Sequence, residues 1–110
     1  MRPKKKQSYT EHNLARPLVA RSGPSLCSFD REFLFVTGGM HGNTYLSSCE
    51  EYSILDDEWT KGPELSTARM SHSSSAFERY IYVFCGKGES DLLLSDIERL
   101  DARAWLSGNT

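Results

Sequence analysis

Three histidines, three cysteines and one tight acidic run are the residues of this 110-residue chain whose types could do chemistry. His12, His41 and His72 fall in three separate segments. None has the His-x-x-His or His-Glu-x-x-His spacing that would bring two imidazoles onto one metal ion. Ser71-His72-Ser73-Ser74-Ser75 crowds hydroxyls around an imidazole, the raw material of an activated nucleophile. Neighbouring residues of a strand point to opposite faces, however, and nothing places an acid beside that histidine to orient it. Asp56-Asp57-Glu58 could hold a cation only with the spaced ligands and central glycine of a calcium loop, so it reads as a turn. Cys27, Cys49 and Cys85 are odd in number, widely spaced and free of any Cys-x-x-Cys. They give neither a disulfide framework nor a zinc pattern, and are expected to be buried, reduced thiols in or beside strands. The residues therefore predict no enzyme: no catalytic residue, no metal and no cofactor.

Composition narrows the class. Hydrophobic residues make up 38% and charged residues 25%, in the globular range and enough for one domain at most. The formal net charge of −2 conceals a split, because Arg2, Lys4, Lys5 and Lys6 carry +4 and residues 7–110 carry −6. An acidic body makes a poor general ligand for phosphate backbones, so no nucleic acid is expected as partner. No run approaches the ~20 apolar residues of a membrane span, and the charged start lacks the apolar stretch of a secretory signal. The expected location is the cytoplasm. Lys4-Lys5-Lys6 would also suit nuclear import, although residues 1–10 read as a solvated tail.

The elements that must position these residues are organised around Phe33-Leu34-Phe35-Val36-Thr37-Gly38-Gly39. An aromatic and β-branched run that stops on two glycines predicts a buried strand followed by a turn or a close approach. Tyr80-Ile81-Tyr82-Val83-Phe84-Cys85-Gly86 repeats it at an offset of 47. Cys49-Glu50-Glu51-Tyr52 aligns with Ile97-Glu98-Arg99-Leu100, and Ala20-Arg21-Ser22 with Ala68-Arg69-Met70, both at 48. Trp59 aligns with Trp105. A period near 50 with four short strands per copy belongs to blade-type repeats. Leu92–Leu106 has a competing helical reading, since Leu93, Ile97, Leu100 and Ala104 fall at helical spacing and Ser95-Asp96-Ile97-Glu98 fits a capping box. Register with the first copy, whose Glu50–Trp59 is poor in helix formers, favours strand there.

The order of strand, Gly-Gly, variable loop, Glu-x-Tyr, acidic turn, Trp, then Pro and Ala-Arg resembles the kelch repeat of β-propellers, over about Leu18 to Trp105. The second copy departs from it, with Cys85 in place of the first glycine and Leu100 in place of the tyrosine. The resemblance implies an all-β, kelch-type propeller fragment of about two four-stranded antiparallel blades. Residues 1–20 would be a basic tail and the remnant of a preceding repeat, 21–68 one repeat and 69–110 a degenerate or truncated second.

Within that scheme Gly38, Gly39, Tyr52, Trp59, Gly86 and Trp105 are scaffold. The glycines would clear space for large rings, and Tyr52 and Trp59 would supply them. Trp105 would sit in a terminal fourth strand with less to lose. Arg21 and Arg69, in the links, would bond carbonyls or acidic groups. Loops at the blade ends, where kelch-like proteins bind partners, would carry Met40, His41, Gly42, Asn43 and Tyr45 in one copy and Lys87, Glu89, Ser90 and Asp91 in the other. Ser22 and Ser71 would lie near the mouth of the channel. The implied function is non-enzymatic protein recognition, as in substrate adaptors of ubiquitin ligases or cytoskeletal scaffolds. The alternatives are a fragment of a kelch-like oxidase or sugar-modifying propeller, whose copper ligands would have to come from several blades, or a structural or non-functional partial gene product. Two blades alone leave apolar faces and strand edges uncovered, so the remaining blades of a longer chain, or self-association, are expected to cover them.

Overall fold

The computed structural model describes residues 13–107. The basic run at Lys4-Lys5-Lys6 and His12 lie outside the described residues. Strands β1 (Ser25–Phe29), β2 (Phe33–Thr37), β5 (Cys49–Ser53) and β6 (Glu58–Lys61) form one antiparallel sheet in that spatial order. The turn between β1 and β2 puts both Asp30 and Arg31 at positive φ, 55° and 60°. That backbone matches the twist of the strands it joins. β3 (Met40–His41) and β4 (Thr44–Tyr45) pair with each other beyond the end of β2. The segment expected as an irregular loop is thus a small β-ribbon, closed by Gly42-Asn43 with Gly42 at φ 61°.

The second copy repeats the plan with one departure. β7 (Ser73–Phe77), β8 (Tyr80–Phe84) and β11 (Ile97–Asp101) form a three-stranded antiparallel sheet. β9 (Lys87–Gly88) and β10 (Leu92–Leu93) form its ribbon. Where the first sheet has a fourth strand, the second has helix α1 (Ala102–Ser107). Leu92–Leu106 is therefore neither all strand nor all helix, and Trp105 does not lie in a fourth strand. The cause is local. Asp101 Oδ1 accepts hydrogen bonds from the Arg103 and Ala104 amides, 3.1 Å each, as a helix N-cap does. The helix formers Ala102, Arg103, Ala104 and Leu106 follow, where the first copy has a turn.

The two sheets stack through a single core. The side of the first sheet carrying Phe29, Phe35 and Cys49 meets the side of the second carrying Ile81 and Val83, with Leu65, Ala102 and Trp105 completing the cluster. Phe35, Cys49, Ile81, Val83 and Ala102 are fully inaccessible. Burial of each large apolar side chain here contributes about 1.5–3 kcal/mol. Polar pairs mark the same seam: Ser25 Oγ lies 2.6 Å from Ser74 Oγ, and Thr37 Oγ1 lies 2.9 Å from His72 Nε2.

The glycines act differently from expectation. A Cβ at Gly38 would fall 2.5 Å from the Arg69 carbonyl oxygen and 2.9 Å from the His72 ring. One at Gly39 would crowd Ser22 and Pro24. They admit the adjoining backbone and an imidazole rather than the rings of Tyr52 and Trp59, which meet at a tilt of 38° with centroids 4.9 Å apart on the far side of the sheet. The glycine that makes room for an indole is Gly62, where a Cβ would lie 2.1 Å from the Trp105 ring.

Of the cysteines, Cys49 is buried, Cys27 half-buried and Cys85 exposed, all as free thiols. Burial pushes the Cys49 thiol up to about 12 and raises that of Cys27. Cys85 corrects the expectation of a buried thiol. It takes the position and the backbone of Gly38, at φ 55° against 60°, but among the described residues no further sheet lies over it as the second sheet lies over Gly38, so its thiol is exposed.

Candidate interaction face at the ribbon end

Each repeat builds its ribbon end with the same hydrogen bonds. Gly38 N–H donates to the Ser48 carbonyl (3.0 Å) and Leu46 N–H to that of Gly39 (2.9 Å). In the second copy Cys85 donates to Asp96 (3.0 Å) and Leu94 to Gly86 (2.8 Å). Ser22 bridges Met40 through paired backbone bonds, and Met70 bridges Lys87 in the same way.

Under each ribbon lies an arginine–glutamate pair. Arg21 Nη1 donates to the carbonyls of Gly38 (2.8 Å) and Ser48 (2.7 Å), and its Nη2 to Glu50 (2.9 Å). Both side chains are almost wholly buried. Glu50 also accepts the Leu18 and Val19 amides at 2.7 and 3.1 Å. Arg69 repeats the arrangement on the Cys85 carbonyl (2.9 Å), Asp96 (2.9 Å) and Glu98 (2.7 Å). Glu98 likewise accepts the amides of Ser66 (2.7 Å) and Thr67 (3.1 Å). The arginines bond carbonyls and acids as expected. The glutamates' hold on the link was not foreseen, and the signal for it was the recurrence of Glu50 and Glu98 in step with Arg21 and Arg69.

The expected loop residues all reach this end. His41 Nδ1 lies 2.9 Å from the Ala20 carbonyl oxygen, which fixes the first ribbon to the link. Ala20, Arg21, Ser22, Met40, His41 and Gly42 line a shallow pocket of about 260 Å³. Asn43 is exposed at the tip of the ribbon. Tyr45 Oη donates to Asp91 Oδ1 at 2.6 Å and so ties the ribbon of one repeat to that of the other. That bond holds the Asp91 carboxyl below the usual carboxylate range and raises the Tyr45 phenol. Lys87 Nζ stands 3.7 Å from the same carboxylate.

Ser71 is exposed at φ 54°, and its amide donates to the Gly23 carbonyl at 2.9 Å. Its counterpart one repeat earlier is Gly23, at φ 66°, whereas Ser22 corresponds to Met70. Across the seam Ser71 meets Gly23, and the two serines are not repeats of each other.

By chemistry the face is amphipathic. It offers a ring, an imidazole, an amide and a thioether above a rigid frame, beside Lys87, Glu89 and Asp91. Among the described residues no three His, Cys, Asp or Glu side chains cluster as a metal site would require. His72 faces Thr37 inside the seam. Burial, with the Arg69 guanidinium adding to it, pushes the imidazole down to about 4. Its Nδ1 is buried without a hydrogen-bond partner, so the ring is part of the packing. No described helix is long and apolar enough to cross a membrane.

Comparison with known proteins agrees with the architecture. Residues 20–66 match the Kelch motif. The chain is 31% identical to the Kelch repeat and BTB domain-containing protein 2 of ectromelia virus, over 53% of this chain and 10% of that protein. It is 30% identical to the human leucine-zipper-like transcriptional regulator 1, over 67% of this chain and 11% of the relative. It is 34% identical to rat Kelch-like protein 38, over 63% and 13% respectively. The chain thus spans about a tenth of the length of the relatives it matches.

Proposed function

The chain belongs to the kelch-repeat family, and from that premise we propose that it is a protein-recognition module that binds through its ribbon end. The observation that carries this reading is the Tyr45–Asp91 bond of 2.6 Å, which joins the variable segments of two successive repeats into one continuous face. Between the sheets the strands are committed to stacking, while Met40, His41, Asn43 and Tyr45 stand on backbone already fixed by Ser22 and Gly39. Aromatic and amphipathic side chains on a rigid support have the chemistry of binding hot spots, because little ordering entropy is lost when they are covered.

The partner is a protein segment. The finer role is a substrate adaptor of a ubiquitin ligase. It is supported by the likeness to a protein named for kelch repeats together with a BTB domain. A cytoskeletal scaffold is the neighbouring reading. The mechanism is non-enzymatic in either case: the module selects by affinity and leaves any reaction to what is tethered to it.

The test replaces Met40–Tyr45 by glycine and serine at equal length and compares partners recovered by proximity labelling from cells. Loss of partners with circular dichroism unchanged supports recognition by this face. An unchanged partner list places recognition elsewhere on the chain.

A further inference from the structure

Among the described residues the repeat leaves two unlike faces open, and each corresponds to one half of the seam already formed inside the chain. On the second sheet the outward side carries Phe77 on β7, Tyr82 and Phe84 on β8 and Ile97 on β11, as the strand registers require. One repeat earlier the same positions are Phe29, Phe35, Thr37 and Cys49, none more than 5% exposed, because the second sheet covers them. Phe77 and Ile97 instead stand 64% and 57% exposed. The opposite end of the molecule shows the complementary half. Ile81 and Val83, which do the covering, correspond to Leu34 and Val36 on the outward side of the first sheet. There Pro17, Val19, Leu26, Leu34, Val36 and Trp59 line an apolar groove of about 330 Å³. The backbone agrees. Gly39 N–H donates across the seam to the Arg69 carbonyl at 2.8 Å, whereas Gly86, its counterpart, donates to no backbone carbonyl among the described residues.

We propose that a second copy of this chain docks head to tail, seating its Leu26–Trp59 groove on the Phe77, Tyr82, Phe84 and Ile97 face of the first. The interface continues the seam within the chain, and the Gly86 amide of one copy donates to the Arg21 carbonyl of the next. Such a contact uses two different surfaces, so it repeats from copy to copy until rotation closes a ring. It buries the apolar patch that a lone molecule exposes to water and borders the ribbon end only at Gly86 and Arg21.

Two variants, substituted at exposed positions, decide the matter. Leu26→Glu blocks the groove, and Phe77→Glu with Ile97→Glu blocks the face. In sedimentation velocity the native chain is expected at multiples of its 12.4 kDa mass. Each variant alone is expected as a monomer, since every potential contact then lacks one half. An equimolar mixture restores a single intact contact and gives a dimer that cannot grow. A native chain that stays monomeric at millimolar concentration overturns the proposal. So does a mixture that fails to associate, or a single variant that still assembles, as a face-to-face dimer would. A measurement without substitutions is independent of variant folding: hydrogen exchange of the Gly86 amide should slow at least tenfold as protein concentration rises through the association range. A rate independent of concentration rejects the contact.

Discussion

The indole of Trp105 lies almost parallel to the ring of Phe35, with centroids 4.4 Å apart and planes 9° from each other. A residue of the terminal helix thereby closes the core of the first sheet, resting against Gly62. Trp59, its counterpart in sequence, is only half-buried and gives its Nε1 proton to the Ala15 carbonyl at 2.9 Å.

The order of importance of the two tryptophans follows. Trp105→Ala should cost about 3–5 kcal/mol in urea denaturation, as removal of a buried ring does. Trp59→Ala should cost less than half of that. Trp105→Phe should recover most of the loss, because it keeps a ring on Phe35 and removes an indole N–H that is buried without a partner. Equal losses for the two alanine variants would place Trp105 outside the core.

The paired glutamates should also differ. Removing Glu50 leaves the buried Arg21 with no carboxylate among the described residues, and two link amides without acceptors, for a loss of roughly 3–5 kcal/mol. After Glu98→Ala, Arg69 still reaches Asp96 at 2.9 Å, so that loss should be smaller. Comparing both variants by urea denaturation checks the ordering.

Acid should loosen the seam through His72. Its folded value of about 4 is below the unfolded 6.5, so between these values the unfolded chain binds the extra proton. The stabilisation is full above pH 6.5 and is lost as pH falls toward 4, by at most about 3 kcal/mol. Arg69 and Glu98 face the same ring and respectively lower and raise its affinity for protons. Melting curves of the native chain and His72→Gln between pH 7 and 4 should show a steeper loss for the native chain.

Cys85 holds at φ 55° a conformation that costs a residue with a side chain roughly 1–2 kcal/mol. Cys85→Gly restores the first-copy residue at that site. It should raise stability by up to about 1 kcal/mol, after allowance for the looser unfolded chain. A lower melting temperature would mean that the thiol contributes more than the strain removes.

Most of the sheet plan was legible because it is local. Phe33–Gly39 and Tyr80–Gly86 state their strands in five alternating residues and end them with a residue at positive φ. The ribbon residues were legible as a group, since the segments between strands two and three emerge at one end of both copies. The fate of Trp105 was obscured by a conflict between two valid signals. The repeat predicted a strand through Trp105, and the helical spacing with its Ser95 capping box predicted a helix, which the structure starts only at Ala102, behind the cap of Asp101. The work of Glu50 and Glu98 was hidden for another reason. Their partners are link amides about thirty residues earlier in sequence. Backbone donors carry no residue-type signature, so the recurrence of the glutamates marked them as repeat residues while the geometry alone shows which amides they hold.

Those glutamates also determine where one modular unit ends. Glu98 grips Ser66 and Thr67, which precede the second copy as the sequence period counts it. A cut at residue 68 would sever a latch that the next sheet needs, leaving a carboxylate and two amides to water. The exchangeable module is therefore a sheet together with the stretch leading into it, from about Gly62 onward. Lengthening the array by duplication would succeed with that boundary, since each added unit brings its own nearest-neighbour coupling. The same insertion cut at the sequence period would add a blade and lose its hinge pin.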